Sequence, residues 1–298
     1  MNNFFEMDNE PEIKSVLVID FMNLVYRLLH YTQKQNPLDV NFVDWKNDML
    51  VCIFAYIREF QPSRVVVAMD TGKSWRKGVY PDYKAKRKDA RDESPVDFDK
   101  FYSADYFPKF VSDLKEVFKS MVFMDIDTVE ADDIAYVLTK KYSKLGVKVI
   151  GASNDGDWYQ LLKFLNFSQY NPIKRSMVIV ENPVHYLTCK VLMGDTSDNI
   201  PNVKKGMGKV TADKQAKRLT EYLEESDDTV RSNYELNKRL IDMDLIPMDI
   251  QNSITDKYDK YVVEKTDGYE LLQFLMAHKL GGRIEDSQKY LHAMNKLV

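Results

Sequence analysis

Between Thr128 and Asp157 five carboxylates fall into two groups: Glu130, Asp132 and Asp133 in E-A-D-D, then Asp155 and Asp157 in N-D-G-D. Acids gathered in one place repel one another strongly unless cations sit between them. The chemistry they suggest is a carboxylate cage for divalent metals that cuts a phosphodiester. Asp20 and Asp70 extend the set, each closing a short apolar run (V-L-V-I-D and R-V-V-V-A-M-D), and Asp195 and Asp198 follow in G-D-T-S-D-N-I-P. One acid at a strand end is ordinarily a turn former or helix cap. The coincidence across separate segments favours a shared site. The four histidines (His30, His185, His278, His292) are scattered, and Cys52 and Cys189 each stand alone in an apolar setting. The metal is therefore expected to take oxygen ligands, magnesium or manganese rather than zinc, and the cysteines suggest a reducing, cytoplasmic setting.

Basic residues complement the acids. The net charge is −4, yet eight Lys and Arg lie between Lys73 and Arg91 against Asp82 and Asp89, and six between Lys204 and Arg218 against Asp213. Such patches, more than the overall sign, set affinity for phosphates. In the first, Trp75, Tyr80 and Tyr83 could stack on bases while lysines and arginines contact the backbone; a solvated helix face is the plainer reading. In the second, Gly206 and Gly208 precede Lys209, Thr211 and Ala212, a glycine turn opening a helix, where exposed amides hold anions. Lys204, Lys205, Lys209 and Lys214 beside it favour a phosphate-backbone site.

The elements that must position these residues follow from periodicity. Val16–Asp20, Arg64–Asp70, Val122–Asp127 and Val147–Ser153 are short β-branched runs alternating with helical patterns at 42–60 and 130–145, which predicts βαβ units and a mostly parallel sheet flanked by helices. In such α/β sheets ligands bind beyond the carboxyl ends of the strands, where the acids lie. Glu130–Leu145 predicts a helix stopped at Gly146; at about 100° per residue Glu130 and Asp133 share a face and Asp132 does not. The connection from about 72 to 110 is long for a compact domain and predicts a lid or arch, with the acidic-aromatic, proline-bounded 94–108 as its descending limb or mobile tip. A hairpin edge is expected within 168–180. From about 219 onward the pattern is helical: 234–245, 249–261, 269–280 and 286–297. Residues 1–12 are expected to be a loosely held arm and carry no signal-peptide pattern; no apolar run reaches the roughly 20 residues of a membrane span. The expected organisation is an α/β catalytic domain over 1–185 and a helical domain over 186–298.

In this order V-I-D, A-M-D, Y-K-A-K-R (83–87), E-A-D-D, S-N-D-G-D-W-Y-Q-L (153–161), G-D-T-S-D-N-I-P (194–201), G-M-G-K-V-T-A (206–212) and L-I-D-M-D-L-I-P (240–247) resemble the 5′-nuclease superfamily of flap endonucleases and 5′→3′ exonucleases, most closely its tailed-phage ribonuclease H branch. The resemblance covers nearly the whole chain. It implies a PIN-like core, a helical arch, and a 5′→3′ nuclease that acts on RNA–DNA or DNA duplexes and flaps and removes primers. Asp20, Asp70, Glu130 and Asp132 would form a first magnesium site with Asp133 nearby; Asp155, Asp157, Asp195 and Asp198 a second. Lys84 and Arg87 would steer the scissile phosphate, with Arg76 assisting and Tyr83 and Lys86 on the nucleic acid. Residues 206–212 would be a helix–hairpin–helix-like duplex grip, often holding potassium. Two departures stand out: Asn202 follows I-P and Phe21 follows Asp20 where the family often has glycine. A monomer working with a single-strand-binding protein or sliding clamp fits this role. A non-catalytic scaffold on the same fold would have lost an acid, and none of the nine is missing. A phosphatase for small molecules would need neither the arch nor the duplex grip.

Overall fold

The computed structural model describes residues 13–37 and 41–298; the expected arm at 1–12 lies outside the described residues. Five strands, β1 (Ser15–Asp20), β2 (Arg64–Met69), β3 (Val122–Asp125), β4 (Lys148–Ala152) and β5 (Phe167–Asn171), pair in parallel in the order β3-β2-β1-β4-β5, and β6 (Ser176–Met177) adds an antiparallel edge. The expected parallel sheet and hairpin edge are both present. The apolar runs do not alternate with polar residues because both sheet faces are covered. Leu17 and Ile19 point to one core with Val65 and Val67, while Val16 and Val18 point to the other with Val66 and Ala68. Strand order reverses between β1 and β4, so their carboxyl ends border the crevice where α/β sheets take ligands.

The first face is covered by α1 (Phe21–Gln35) and α2 (Val43–Phe60). The 72–110 connection is built from three short helices, α3 (Arg76–Val79), α4 (Arg87–Asp92) and α5 (Phe98–Phe101), before α6 (Phe107–Val117). Its second half is not a mobile tip. Phe101 is fully buried with its ring 4.9 Å from that of Trp45, and the Tyr102 and Tyr26 hydroxyls are 2.7 Å apart. Aromatic spacing within 94–108 is a packing signal, and these rings complete the core above α1 and α2.

On the second face lies α7 (Ala131–Ser143), which ends at Gly146 in the left-handed conformation (φ +68°), as its sequence requires. After β4 a 3₁₀ turn (Asp157–Lys163) folds Trp158 back over the strand. Gly151 makes room for it: a Cβ there would lie 2.6 Å from the indole ring. The helices α8 (Pro183–Met193), α9 (Lys209–Ala216), α10 (Leu219–Glu225) and α11 (Asp228–Ile241) enclose a third core around Leu192, Ile200, Met207 and Tyr234. Then α12 (Met248–Asp259) packs Ile254 and Tyr258 on the second face, while α13 (Gly268–Ala277) and α14 (Ser287–Asn295) pack Phe274, Leu275 and Met294 on the first. Residues 191–241 share the third core with Tyr83, and 243–297 pack on the two faces of the sheet. Helical periodicity tells which side of a helix is buried, not which layer receives it.

Gly151→Ala is expected to cost about 1–3 kcal/mol through overpacking against Trp158. Urea denaturation checks this; an unchanged midpoint would mean the ring is free to shift.

Candidate metal centre and nucleic-acid interface

The site is assembled from strand ends. Asp20 closes β1, caps α1 by accepting from the Asn23 amide at 3.1 Å, and accepts from Ser153 Oγ at 2.7 Å. Ser153 in turn accepts from the Asp155 amide at 3.0 Å, so one hydroxyl ties the ends of β1 and β4 together. Asp70, just past β2, accepts from the Ala131 amide at 2.7 Å, at the amino end of α7. Asp132 accepts from Trp158 Nε1 at 2.6 Å, which explains why that indole is folded over Gly151. Asp155 Oδ1 accepts from the Asp157 amide at 2.9 Å. Asp195 and Asp198 arrive from the loop after Gly194 (φ +68°), whose absent side chain lets the Pro201 carbonyl come within 2.3 Å of where a Cβ would be.

A cavity of about 570 Å³ lies over these ends, lined by Asp20, Asp70, Asp132, Asp155, Asp157, Asp195 and Asp198 together with Lys84 and Arg87. Seven of the nine expected acids thus converge. The other two share the expected helix face, and it points away from this cavity. Arg76 is fully enclosed, with Nη1 2.7 Å from Glu130 Oε2 and Nη2 2.8 Å from Asp133 Oδ1, and Nε donates to the Leu240 carbonyl. Trp75 Nε1 donates to Asp133 at 3.1 Å. Glu130 also accepts from Ser74 and Tyr83 and is ion-paired with Lys84. Arg76, expected to assist at the phosphate, is here a buried clamp joining α7 to the end of α11. Trp75 and Tyr83, expected to stack on bases, instead donate to this acid cluster, and Tyr83 is 3% exposed.

The electrostatics divide the acids along a different line. Burial, reinforced by Asp70 and Asp155, pushes the Asp20 carboxyl up to about 7. Burial also raises Asp70 against the pull of Lys84, raises Asp132 well above its ordinary range with help from Asp155 and Asp20, and raises Asp155 against Lys190. For Glu130, burial is outweighed by Lys84 and Arg76, which hold it at about 2. Asp195 is held low because Lys190 and Ser197 outweigh its burial. The protein's own cations neutralise Glu130 and Asp195, whereas Asp20, Asp70, Asp132 and Asp155 are left with too few. An all-oxygen donor set short of positive charge fits a hard divalent cation.

Lys84 takes a left-handed backbone (φ +59°), rare for a side chain with a Cβ. Its amide donates to the Asp198 carbonyl at 2.9 Å, and its ammonium contacts Glu130 and lies 3.8 Å from Asp198 Oδ2. Arg87 Nη2 reaches Asp198 Oδ1 at 2.7 Å. A second cavity of about 490 Å³ shares Asp70, Lys84 and Arg87 with the first, so these two basic residues stand between the two spaces. Lys86 is exposed beside them. Lys204, Lys205, Gly206, Gly208, Lys209 and Thr211 are all exposed, Gly206 has φ +85°, and Gly208 is the cap from which α9 starts. Buried Met207 anchors that turn.

Sequence reasoning missed six contributors. Lys190 on α8 ion-pairs with Asp157 and, at 3.0 Å, with Asp195. Ser153 is the hinge between β1 and β4. Tyr26, Arg27, His30 and Arg91 line the cavity beyond the acids. The periodic apolar face of α1 was available as a signal for Tyr26, Arg27 and His30; nothing local marks Lys190.

A parallel sheet that gathers carboxylates short of positive charge at its switch point, with a lysine and an arginine on the rim, has the make-up of a site for cations and phosphate. Residues 15–185 match the family described as 5′-3′ exonuclease, N-terminal resolvase-like domain. The chain is 32% identical over 224 residues to the ribonuclease H of Enterobacteria phage T4, covering 67% of this chain and 70% of that one. Among solved structures it resembles a T5 protein co-crystallised with metal ions (TM-score 0.63, 20% identity, 82% of this chain and 98% of that one). It also resembles a T5 flap endonuclease in a pseudo-enzyme–product complex with DNA and metal ions (TM-score 0.59, 19% identity, 95% of this chain and 99% of that one). The chain belongs to the 5′→3′ exonuclease family.

Replacing Arg76 by Met is expected to destabilise the protein by about 3–5 kcal/mol, because Glu130 and Asp133 lose a buried partner. Chemical denaturation measures it; a loss confined to activity would return Arg76 to the phosphate. A second expectation concerns pH. Asp20, Asp70, Asp132 and Asp155 hold protons more tightly folded than unfolded, so in metal-free protein their contribution is fully present below about pH 4 and is lost as pH rises through their folded values, near 7 for Asp20. Magnesium bound among these carboxyls would replace those protons. It should therefore raise Tm more at about pH 8 than at about pH 5.5; equal shifts in differential scanning fluorimetry would place the ion elsewhere.

Proposed function

We propose that this chain is a divalent-metal-dependent 5′→3′ nuclease that hydrolyses phosphodiesters at the 5′ ends of RNA–DNA or DNA duplexes and at flaps, and that it removes RNA primers during replication. The observation that carries this reading is the group of four carboxyls that line one cavity, Asp20, Asp70, Asp132 and Asp155, driven above their ordinary range by desolvation and by neighbouring acids. Asp20, Asp70 and Asp132, with Glu130 behind them, would hold one magnesium; Asp155, Asp157, Asp195 and Asp198 would hold a second, and manganese could replace either. Asp133 supports the set through Arg76. Bound there, the ions would supply an ionised water and neutralise the leaving oxygen.

The residues of the chain do the rest. Ser153 keeps the ends of β1 and β4 at a fixed spacing, and Trp158 keeps Asp132 turned into the cavity. Lys84 and Arg87 stand where a phosphate between the two cavities would meet them and compensate the charge it develops. The ammonium of Lys84 is held there by Glu130, at the border of both cavities. Lys204, Lys205, Lys209 and Thr211, beside the Gly206–Gly208 turn, would grip the duplex backbone, with potassium at the 206–212 turn. Lys86 adds a phosphate contact. The protein would act as a monomer in the cytoplasm, that of the host if phage-encoded, beside a single-strand-binding protein or clamp.

The test is cleavage of a 5′-labelled RNA–DNA hybrid, a flapped duplex and a small phosphoester, each with magnesium or chelator. Asp155→Asn should slow nucleic-acid cutting at least about 100-fold with duplex affinity nearly unchanged, and Lys84→Ala should slow single-turnover cleavage by roughly 100-fold with a much smaller effect on binding. Metal-independent cutting, or losses of binding that match the losses of rate, would sink the assignment.

A further inference from the structure

Away from the acid cavity, α8 and α9 bring together three side chains of different chemistry. His185 and Cys189 stand one turn apart on α8 and share a face; Asp213 meets them from α9. His185 Nε2 is 2.8 Å from Asp213 Oδ1 and 3.5 Å from Cys189 Sγ. One donor atom from each residue lies within 4.8 Å of the others, and all three side chains are half-buried. Lys217 holds the other carboxylate oxygen, Oδ2, at 2.7 Å, which leaves Oδ1 directed at the histidine. Hydrogen bonds from Lys217 and His185 keep this carboxyl below its ordinary range, so it is anionic.

A tetrahedral ion with nitrogen at about 2.0 Å and thiolate at about 2.3 Å separates those two atoms by roughly 3.5 Å. Cys189 and His185 already have that spacing. The same geometry sets nitrogen and carboxylate oxygen about 3.3 Å apart, a small adjustment for a half-exposed aspartate. A His–Asp hydrogen bond explains that pair, and the one-turn spacing on α8 brings the Cys189 sulfur to the same nitrogen. Imidazole, thiolate and carboxylate together suit a borderline-soft cation and not magnesium.

We propose that His185, Cys189 and Asp213 form a zinc-type site, with water in the fourth position, that clips α8 to α9. On binding, Cys189 releases its thiol proton to solvent as the metal–sulfur bond forms, and His185 Nε2 exchanges its hydrogen bond to Asp213 for the metal. Lys217 stays on Asp213 as the partner that orients the carboxylate. The clip joins the helix that carries Lys190 to the helix that opens at the Gly206–Gly208 turn, so occupancy stiffens the frame of both. The lone placement of the histidines and cysteines along the chain predicted no zinc site; tertiary packing brings Asp213 to the His185–Cys189 turn. This inference stands apart from the nuclease reading.

The test uses the full chain in excess magnesium, with cobalt(II) and then zinc as probes. One equivalent of cobalt should bring up a near-ultraviolet thiolate-to-cobalt charge-transfer band, and zinc should abolish it. Cys189→Ser should remove the band and Cys52→Ser keep it. His185→Gln should weaken cobalt binding at least about tenfold, and circular dichroism should show each variant folded. In the Cys52→Ser protein zinc should shield Cys189 from a thiol reagent. No band, a band that survives Cys189→Ser, or zinc that binds but leaves Cys189 reactive would overturn the proposal, the last by placing the zinc among the acids.

Discussion

Buried carboxylates cannot share a small space without compensation, and the architecture around β1, β2 and β4 follows from how that compensation is divided. In a low-dielectric interior each uncompensated charge weakens every other. The protein answers with its own cations in two places. Arg76 neutralises Glu130 and Asp133 away from the cavity, Lys84 reaches Glu130 from the rim, and Lys190 serves Asp157 and Asp195 from α8. Between these two supports, Asp20, Asp70, Asp132 and Asp155 are left short of positive charge. That imbalance suits the cavity to added cations more than to a packed ion-pair network.

The surrounding hydrogen bonds serve the same constraint. Ser153 and the Ala131 amide hold Asp20 and Asp70 in place without cancelling their charge, and the Trp158 indole does the same for Asp132. Neutral donors orient a carboxylate while leaving it attractive to a cation. Gly151 exists in β4 so that Trp158 can reach. Where cations are used, they are placed behind the acids or on the rim. Strain in the backbone of Lys84 is tolerated because the Asp198 carbonyl and the Glu130 carboxylate both hold it.

Much of this was legible from residue order. The parallel sheet, the strand-end acids, the stop at Gly146 and the division of E-A-D-D between two helix faces follow from local periodicity, and local periodicity survives folding because both sheet faces and one face of α7 are buried. The failures share a cause. Trp75, Tyr83 and Arg76 lie in a basic-aromatic run that reads as a nucleic-acid surface, yet they turn inward because Glu130 and Asp133 need partners there. The aromatics of 94–108 read as a descending limb or mobile tip, and Phe101 among them is core. Lys190 carries no local mark, since its partners are 33 residues before it and five after it.

By itself the sequence determined the fold class, the strand ends that carry the acids and the family, because those depend on short-range pattern and on motif order. Only the tertiary structure decided which acids face the cavity, which cations are spent on which carboxylates, and that His185, Cys189 and Asp213 meet. Those outcomes depend on through-space electrostatics and on helix layering, where a few ångströms separate a ligand from a salt-bridge partner and no local pattern records the difference.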